Sequence, residues 1–236
     1  MASSAEQSLA GRVAVVTGGS RGIGAAVVRA LARAGARTLA VARSVDALER
    51  VCRECGATPV VADVATDDGV DAIAQRLGGA ADVVVHSAGA FALAPLEQTS
   101  VQQFDAMHAV NLRAAFLLAR AFIPGMKARG AGHFVSIGSV AGRVALPGNA
   151  AYAASKFGLR GLHAVLDVEL RGSGVRATLI EPSATATELW DAIDGAGYDL
   201  PPRDAMLDAD AVADAVVYAV TRPPHTGIPN LLIGRG

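Results

Sequence analysis

Thr17-Gly18-Gly19-Ser20-Arg21-Gly22-Ile23-Gly24 lies where a short apolar run, Val13-Ala14-Val15-Val16, gives way directly to an Ala/Val-rich stretch of helical period. A glycine-rich turn at such a junction lets the backbone approach a pyrophosphate closely. The unsatisfied N–H groups and positive dipole end of the following helix then face the anion. The stretch therefore reads as a phosphate cradle, although its spacing, Gly18-x3-Gly22-x-Gly24, differs from Gly-x-Gly-x-x-Gly. A rival reading takes Gly18-Gly19-Ser20-Arg21-Gly22 as the Gly-x-Ser-x-Gly elbow of a hydrolase. Such an elbow follows several strands, one of which supplies an oxyanion loop, whereas only a polar tail and one strand precede it here. A turn without a ligand would not need three glycines.

Outward from that junction, strand and helix patterns alternate. Strands are expected near 13–17, 37–42, 58–62, 82–86, 133–138, 175–181 and 229–233, with helical patterns between them. That order predicts an α/β fold, a doubly wound parallel sheet of about seven strands with helices on both faces. At 236 residues the chain fits one domain, 1–236, with residues 1–10 as a frayed tail. The composition is 52% hydrophobic but only 4% aromatic, so the apolar content is mostly Ala, Val and Leu, as in strands covered on both faces. Gly35 and Gly130 stand where helices should stop, the second ending a long helix that starts near Ser100.

The longest stretch without Asp, Glu, Lys or Arg, Val83 to Leu96, contains Gly89 and Pro95 and falls short of the roughly 20 residues that span a bilayer. No membrane segment and no targeting segment is read, and the chain is expected to be cytoplasmic. A net charge of −1 argues against nucleic acid as a partner. Cys52 and Cys55 form a Cys-x-x-Cys in an expected surface helix, but one pair cannot complete a four-ligand zinc site, and no metal is expected.

Thr17-Gly18-x3-Gly22-Ile23-Gly24 after the first strand resembles the signature of the short-chain dehydrogenases/reductases, and other motifs of that family follow in order over roughly residues 11–234. The resemblance implies a Rossmann-type fold with Gly18, Ser20, Arg21, Gly22, Ile23 and Gly24 around a dinucleotide. At the end of the second strand, where NAD binders carry an acidic residue about 20 positions on, the chain has Val41-Ala42-Arg43-Ser44. Arg43, with Arg21, is placed to grip a 2′-phosphate through a planar fork. The cofactor expected is therefore NADP(H), with Ser44 beside Arg43. Asp63-Val64 resembles the family's adenine contact, and Ala88-Gly89 its loop after the fourth strand, where His86-Ser87 departs from the usual Asn-Asn. His86 is expected to pack or hydrogen-bond in that place.

Tyr152-Ala153-Ala154-Ser155-Lys156 opens a helical stretch after Pro147-Gly148-Asn149. Residues i and i+4 share a helix face, so the Lys156 ammonium can lie beside the Tyr152 phenol and, together with the positive cofactor ring of the oxidised complex, lower its pKa from about 10. Ser139, just after the fifth strand, is placed to bind the reacting oxygen. Asn111, in Val110-Asn111-Leu112, matches the family's fourth member, which holds a water beside the lysine. Alone, each of these four is an ordinary helix or strand-end residue. Past the sixth strand, Pro182-Ser183-Ala184-Thr185-Ala186-Thr187 matches the family at Pro182 and Thr187, with Ser183 in place of glycine. Pro182, Thr185 and Thr187 are candidate cofactor contacts.

These residues predict interconversion of a ketone or aldehyde with an alcohol. Two alternatives stay open: a 3-oxoacyl-carrier-protein reductase, its carrier met by Lys127, Arg129 and Arg171, and an NADP(H)-binding sensor without turnover. Residues 184–206 carry Leu189, Trp190, Ile193, Tyr198, Leu200 and Met206 with Gly195 and Gly197 between them, and are expected to form a mobile lid selecting a neutral, largely apolar substrate. Its one cation, Arg203, is expected to point outward. Phe116, Leu117, Phe122, Leu159, Leu162, Val165 and Leu166 spread over much of two helices near 100–128 and 151–172. A helix apolar nearly all round is usually buried, so a homotetramer or homodimer is expected.

Overall fold

The structure is a computed structural model that describes residues 8–191, 193 and 200–236. The chain runs β1 (Val13–Thr17), α1 (Gly22–Arg33), β2 (Arg37–Ala42), α2 (Val45–Cys55), β3 (Thr58–Val61), α3 (Asp67–Arg76) and β4 (Val83–His86). It continues through α4 (Val101–His108), α5 (Ala114–Arg129), β5 (Gly132–Ile137), α6 (Ala150–Glu169), β6 (Val175–Pro182), α7 (Ala209–Val220) and β7 (Asn230–Ile233). The seven strands form one parallel sheet in the order β3-β2-β1-β4-β5-β6-β7. The sequence order reverses between β1 and β4, and a crevice opens outside the strand ends at such a switch point.

Alternate residues of each central strand feed two apolar layers. Val16, Val85, Val135 and Ile180 pack with α1, α2 and α7, and Val15, Val84 and Phe134 with α3, α5 and α6. Helices on both faces explain why these strands read as unbroken apolar runs. Gly18 (φ 70°) begins the turn after β1. A Cβ there would stand 2.8 Å from the Ala88 backbone, and one on Gly24 would stand 2.1 Å from the Gly18 carbonyl oxygen. Only glycine at both positions lets β1, α1 and the loop after β4 close on one another.

Four expectations are refined. Leu9 is buried and its N–H donates to the Ala34 carbonyl at 2.7 Å, so residues 8–10 belong to the fold rather than to a frayed tail; residues 1–7 lie outside the described residues. The long helix from Ser100 is two α-helices joined by a π-turn, Ala109–Arg113. By length and composition the run Val101–Arg129 could cross a bilayer, but half of its most apolar window is buried inside the domain, as in a core helix. Of the apolar residues expected at a subunit contact, Leu117, Phe122, Leu159 and Leu166 are core, while Phe116 and Val165 are exposed. Gly35 and Gly130 stand past the ends of α1 and α5 with positive φ, as expected.

Candidate active site

One cleft of about 990 Å³ opens along the strand ends. At one end lie Gly18, Ser20, Arg21, Gly22, Ile23 and Gly24; Arg43, Ser44, Asp63 and Val64 flank them, and Ala88 and Gly89 form the floor. Ser139, Tyr152, Lys156, Pro182, Thr185 and Thr187 line the other half. Every candidate except Asn111 thus reaches the same cleft.

The glycine end suits a pyrophosphate. Arg21 caps α1 in an extended conformation with no side-chain cap, and the first turn holds no acidic residue. Orphan N–H groups and the positive end of the helix dipole therefore face the cleft. Arg43 is exposed, with Nη1 3.8 Å from Asp63 Oδ2, and no carboxylate ends β2. Asp63 itself accepts from the Ala65 N–H at 3.0 Å. A dinucleotide with an additional phosphate fits this set of donors.

The catalytic candidates are positioned by three elements. Ser139 ends the strand side of a 3-10 turn, Val140–Gly142, and its Oγ accepts from the Ala141 N–H at 3.1 Å. Tyr152 lies in the first turn of α6, with the Ser139 side chain near enough to favour its ionised form. Lys156, one turn on, is buried with Nζ 5.5 Å from the Tyr152 ring centroid and donates to the Ile137 carbonyl at 2.9 Å. Asn111 lies below the cleft in the π-turn. Its Nδ2 donates to Ala90 O and Ser155 Oγ, both at 2.9 Å, and its Oδ1 accepts from the Ala90 N–H at 2.8 Å. Ser155 Oγ in turn donates to the Tyr152 carbonyl at 2.7 Å. Asn111 therefore ties the floor of the cleft to the helix that carries Tyr152.

Without a cofactor the Tyr152 pKa is pushed up to about 12 by burial, against which the Ser139 side chain works; the lowering expected above belongs to the complex with oxidised cofactor. The same burial lowers Lys156 to about 8. Desolvation disfavours the charged form of both groups, and the ammonium is turned toward the Ile137 carbonyl.

His86 hydrogen-bonds, as expected, through Nδ1 to the Thr17 hydroxyl at 3.1 Å, and burial lowers its pKa to about 3, which keeps it neutral. No group of metal-binding side chains occurs among the described residues, and both cysteines are free. Ser183 carries no strain, because among the described residues only glycines have positive φ.

The segment beyond Pro182 is latched to itself: Thr185 bridges Leu207, with Ala186 N–H donating to Leu207 O and Leu207 N–H to Ala184 O, each at 2.8 Å. Arg203 does not point outward. It donates to Thr187 O at 2.5 Å and to Asp191 Oδ1 at 2.9 Å. Gly195, Gly197 and Tyr198 lie outside the described residues.

Phe91, which the sequence did not single out, stands edge-on to both Tyr152 (4.7 Å between centroids) and Trp190 (5.2 Å). Its position just past a strand end at the switch point was the available signal. Leu93, Leu146, Leu189, Leu200 and Pro201 complete an apolar half of the cleft.

The short chain dehydrogenase family profile matches residues 12–196. The chain belongs to the short-chain dehydrogenase family. This short-chain dehydrogenase is 38% identical over 223 residues to the D-threitol dehydrogenase of Mycolicibacterium smegmatis, covering 89% of this chain and 86% of that one. It is 37% identical over 237 residues to the glycine betaine reductase ATRR of Emericella nidulans, covering 95% of this chain but spanning only 19% of that protein's length. Among solved structures, a metagenomic short-chain oxidoreductase in complex with NADP superposes with a TM-score of 0.82 at 37% identity, covering 98% of each chain. The fold, the family and an oxidoreductase activity on CH–OH/C=O groups are thereby established.

Proposed function

We propose that this short-chain dehydrogenase is an NADP(H)-dependent carbonyl reductase or alcohol dehydrogenase acting on a neutral, largely apolar ketone or aldehyde. The observation that carries the reading is the convergence of Ser139, Tyr152 and Lys156 in the same cleft as the glycine cradle and its two arginines. NADP(H) would be held at Gly18–Gly24, with Arg43 and Arg21 on the 2′-phosphate, and the nicotinamide supplies or accepts the hydride. Ser139 Oγ hydrogen-bonds the reacting oxygen, and Tyr152 gives it a proton in reduction or takes one in oxidation. A phenol with its pKa pushed up to about 12 is protonated at neutral pH, the form reduction needs. Oxidation needs phenolate, which the Lys156 ammonium favours by its charge. Asn111 keeps the Tyr152 helix seated and carries the water beside Lys156. The apolar half of the cleft, from Phe91 to Trp190, excludes water and favours uncharged substituents. Lys127, Arg129 and Arg171 are exposed at helix ends, with nothing to favour an acyl-carrier substrate over a small one. The protein is read as a cytoplasmic homotetramer or homodimer.

Absorbance at 340 nm with a panel of ketones and aldehydes tests the proposal. Turnover with NADPH well above NADH is expected, and Arg43→Asp should lower kcat/KM for NADPH about 10- to 100-fold, the worth of a charge-assisted phosphate contact of roughly 1.5–3 kcal/mol. Equal use of both cofactors by the unaltered enzyme would contradict the 2′-phosphate role. NADPH binding without turnover of any carbonyl would favour the sensor.

A further inference from the structure

We propose that Arg143 and Asn230 clasp the buried carboxylate of Glu181 and so position Ser139 for the reacting oxygen. The inference rests on the reading of Ser139 given above and extends it to residues that do not touch substrate.

Glu181 is the residue of β6 before Pro182, and its side chain is only 1% exposed. Its Oε2 accepts from Arg143 Nε at 2.6 Å and from Asn230 Nδ2 at 2.5 Å, while Arg143 Nη2 also donates to Asn230 Oδ1 at 2.5 Å. Arg160 of α6 approaches the other oxygen, Oε1, with Nε at 3.9 Å. A buried carboxylate is retained at little net gain in stability unless its partners are well placed, so a fully buried Glu181 met from the surface by an arginine and an amide invites a local explanation.

The explanation lies in what the clasp holds. Arg143 is the residue that ends the 3-10 turn capped by Ser139, and its N–H closes on the Val140 carbonyl. At the start of the turn, Gly138 N–H donates to Ile180 O at 2.6 Å, and a Cβ on Gly138 would stand 3.1 Å from Glu181 Cγ, so Glu181 lies flush against the residue preceding Ser139. The middle of the turn rests on α6: a Cβ on Gly142 would stand 2.9 Å from the Lys156 carbonyl oxygen. Residues 138–143 are thus pinned at three points: Gly138 on the Ile180 carbonyl, Gly142 against Lys156 and, at the far end, Arg143 on Glu181. Ser139 Oγ accepts from the Ala141 N–H of the same turn, so the position of that turn decides whether it meets the Tyr152 hydroxyl. Release of Arg143 would free the turn to shift while leaving the glycine cradle untouched. A displacement of about 1 Å at a catalytic group can cost on the order of 100-fold in rate.

The test is a double-mutant cycle in kcat for NADPH-dependent carbonyl reduction, with NADPH affinity followed by fluorescence titration. Ser139→Ala and Arg143→Met are each expected to lower kcat by about 10- to 100-fold, with the NADPH Kd within about threefold of the unaltered enzyme. The double variant should be no slower than Ser139→Ala by more than about twofold, because the group being positioned is gone. If Arg143→Met fails to fold because it leaves Glu181 uncompensated, Arg143→Met/Glu181→Leu replaces it, since no unpaired charge is then buried. Fully additive losses, or a lowered Tm with kcat unchanged, would overturn the clasp as a positioning device while leaving the role of Ser139 intact. An unchanged kcat in Ser139→Ala would overturn both.

Discussion

Burial sets the chemistry of the single residues here more than their neighbours in sequence do. Lys156 and Tyr152 share a helix face as their spacing requires, yet the ammonium is lowered to about 8 and the phenol raised to about 12, each from desolvation. Stability follows with a definite sign. The folded Lys156 loses its proton near pH 8 and the unfolded one near 10.5, so between these values the unfolded chain binds more protons and stability rises with pH. Below pH 8 the buried charge opposes folding in full. Urea unfolding of the cofactor-free protein should therefore show stability, relative to Lys156→Met, climbing from pH 8 to 10 by up to about 1.4 kcal/mol per unit. A difference that stays flat over that range would mean that Lys156 is hydrated. Tyr152 works in the opposite direction above pH 10, which closes the window.

The elements were legible to different depths. Each expected strand occurs within one or two residues of its place, because strands covered on both faces leave an apolar run that nothing interrupts, as in Val13–Val16. The glycine cradle was equally plain, since contacts between Gly18, Gly24 and Ala88 exclude any Cβ. The π-turn at Asn111 left no mark, because its residues also suit an ordinary helix. The Phe91–Trp190 contact and the Arg143–Glu181 pair join residues far apart in the chain, so no local pattern announces them. Arg203 read as a solvated cation because the sequence does not display the carbonyl of Thr187 that it meets. The element after Pro182 carries the substrate prediction: Trp190, held by its Nε1 donating to Thr185 O at 2.9 Å, forms the wall of the apolar half with Phe91. Trp190→Ala should raise KM for bulky aromatic or aliphatic ketones roughly three- to tenfold, the scale of a lost aromatic contact. A small diketone should change less than that, and NADPH affinity little. An equal loss for every substrate, or charged 2-oxo acids as the best substrates, would remove this element from the selection of substrate.

At the scale of the molecule, the sheet reverses its strand order between β1 and β4, and the proposed cofactor cradle, the candidate catalytic residues and the apolar pocket all line the crevice this opens. The outer surface of α4, α5 and α6 leaves Val101, Phe104, Phe116, Phe157, Val165 and Val168 exposed, with Phe116 at 51% and Val168 at 59%. So many large apolar side chains on adjoining helices mark an interaction surface, and a second copy of this chain is the occupant expected. Light scattering at micromolar concentration should give a multiple of the 23.9 kDa chain mass, and Phe116→Glu should lower it. A monomer would refute the assembly without touching the active site. The account turns on Tyr152 as the group that moves the proton, and the most direct measurement is turnover of Tyr152→Phe beside its NADPH affinity. The variant should lose carbonyl reduction by at least about 1000-fold, within the range of a general acid, while binding NADPH within a few-fold of the unaltered enzyme. Retained turnover at unchanged cofactor affinity would contradict the central claim.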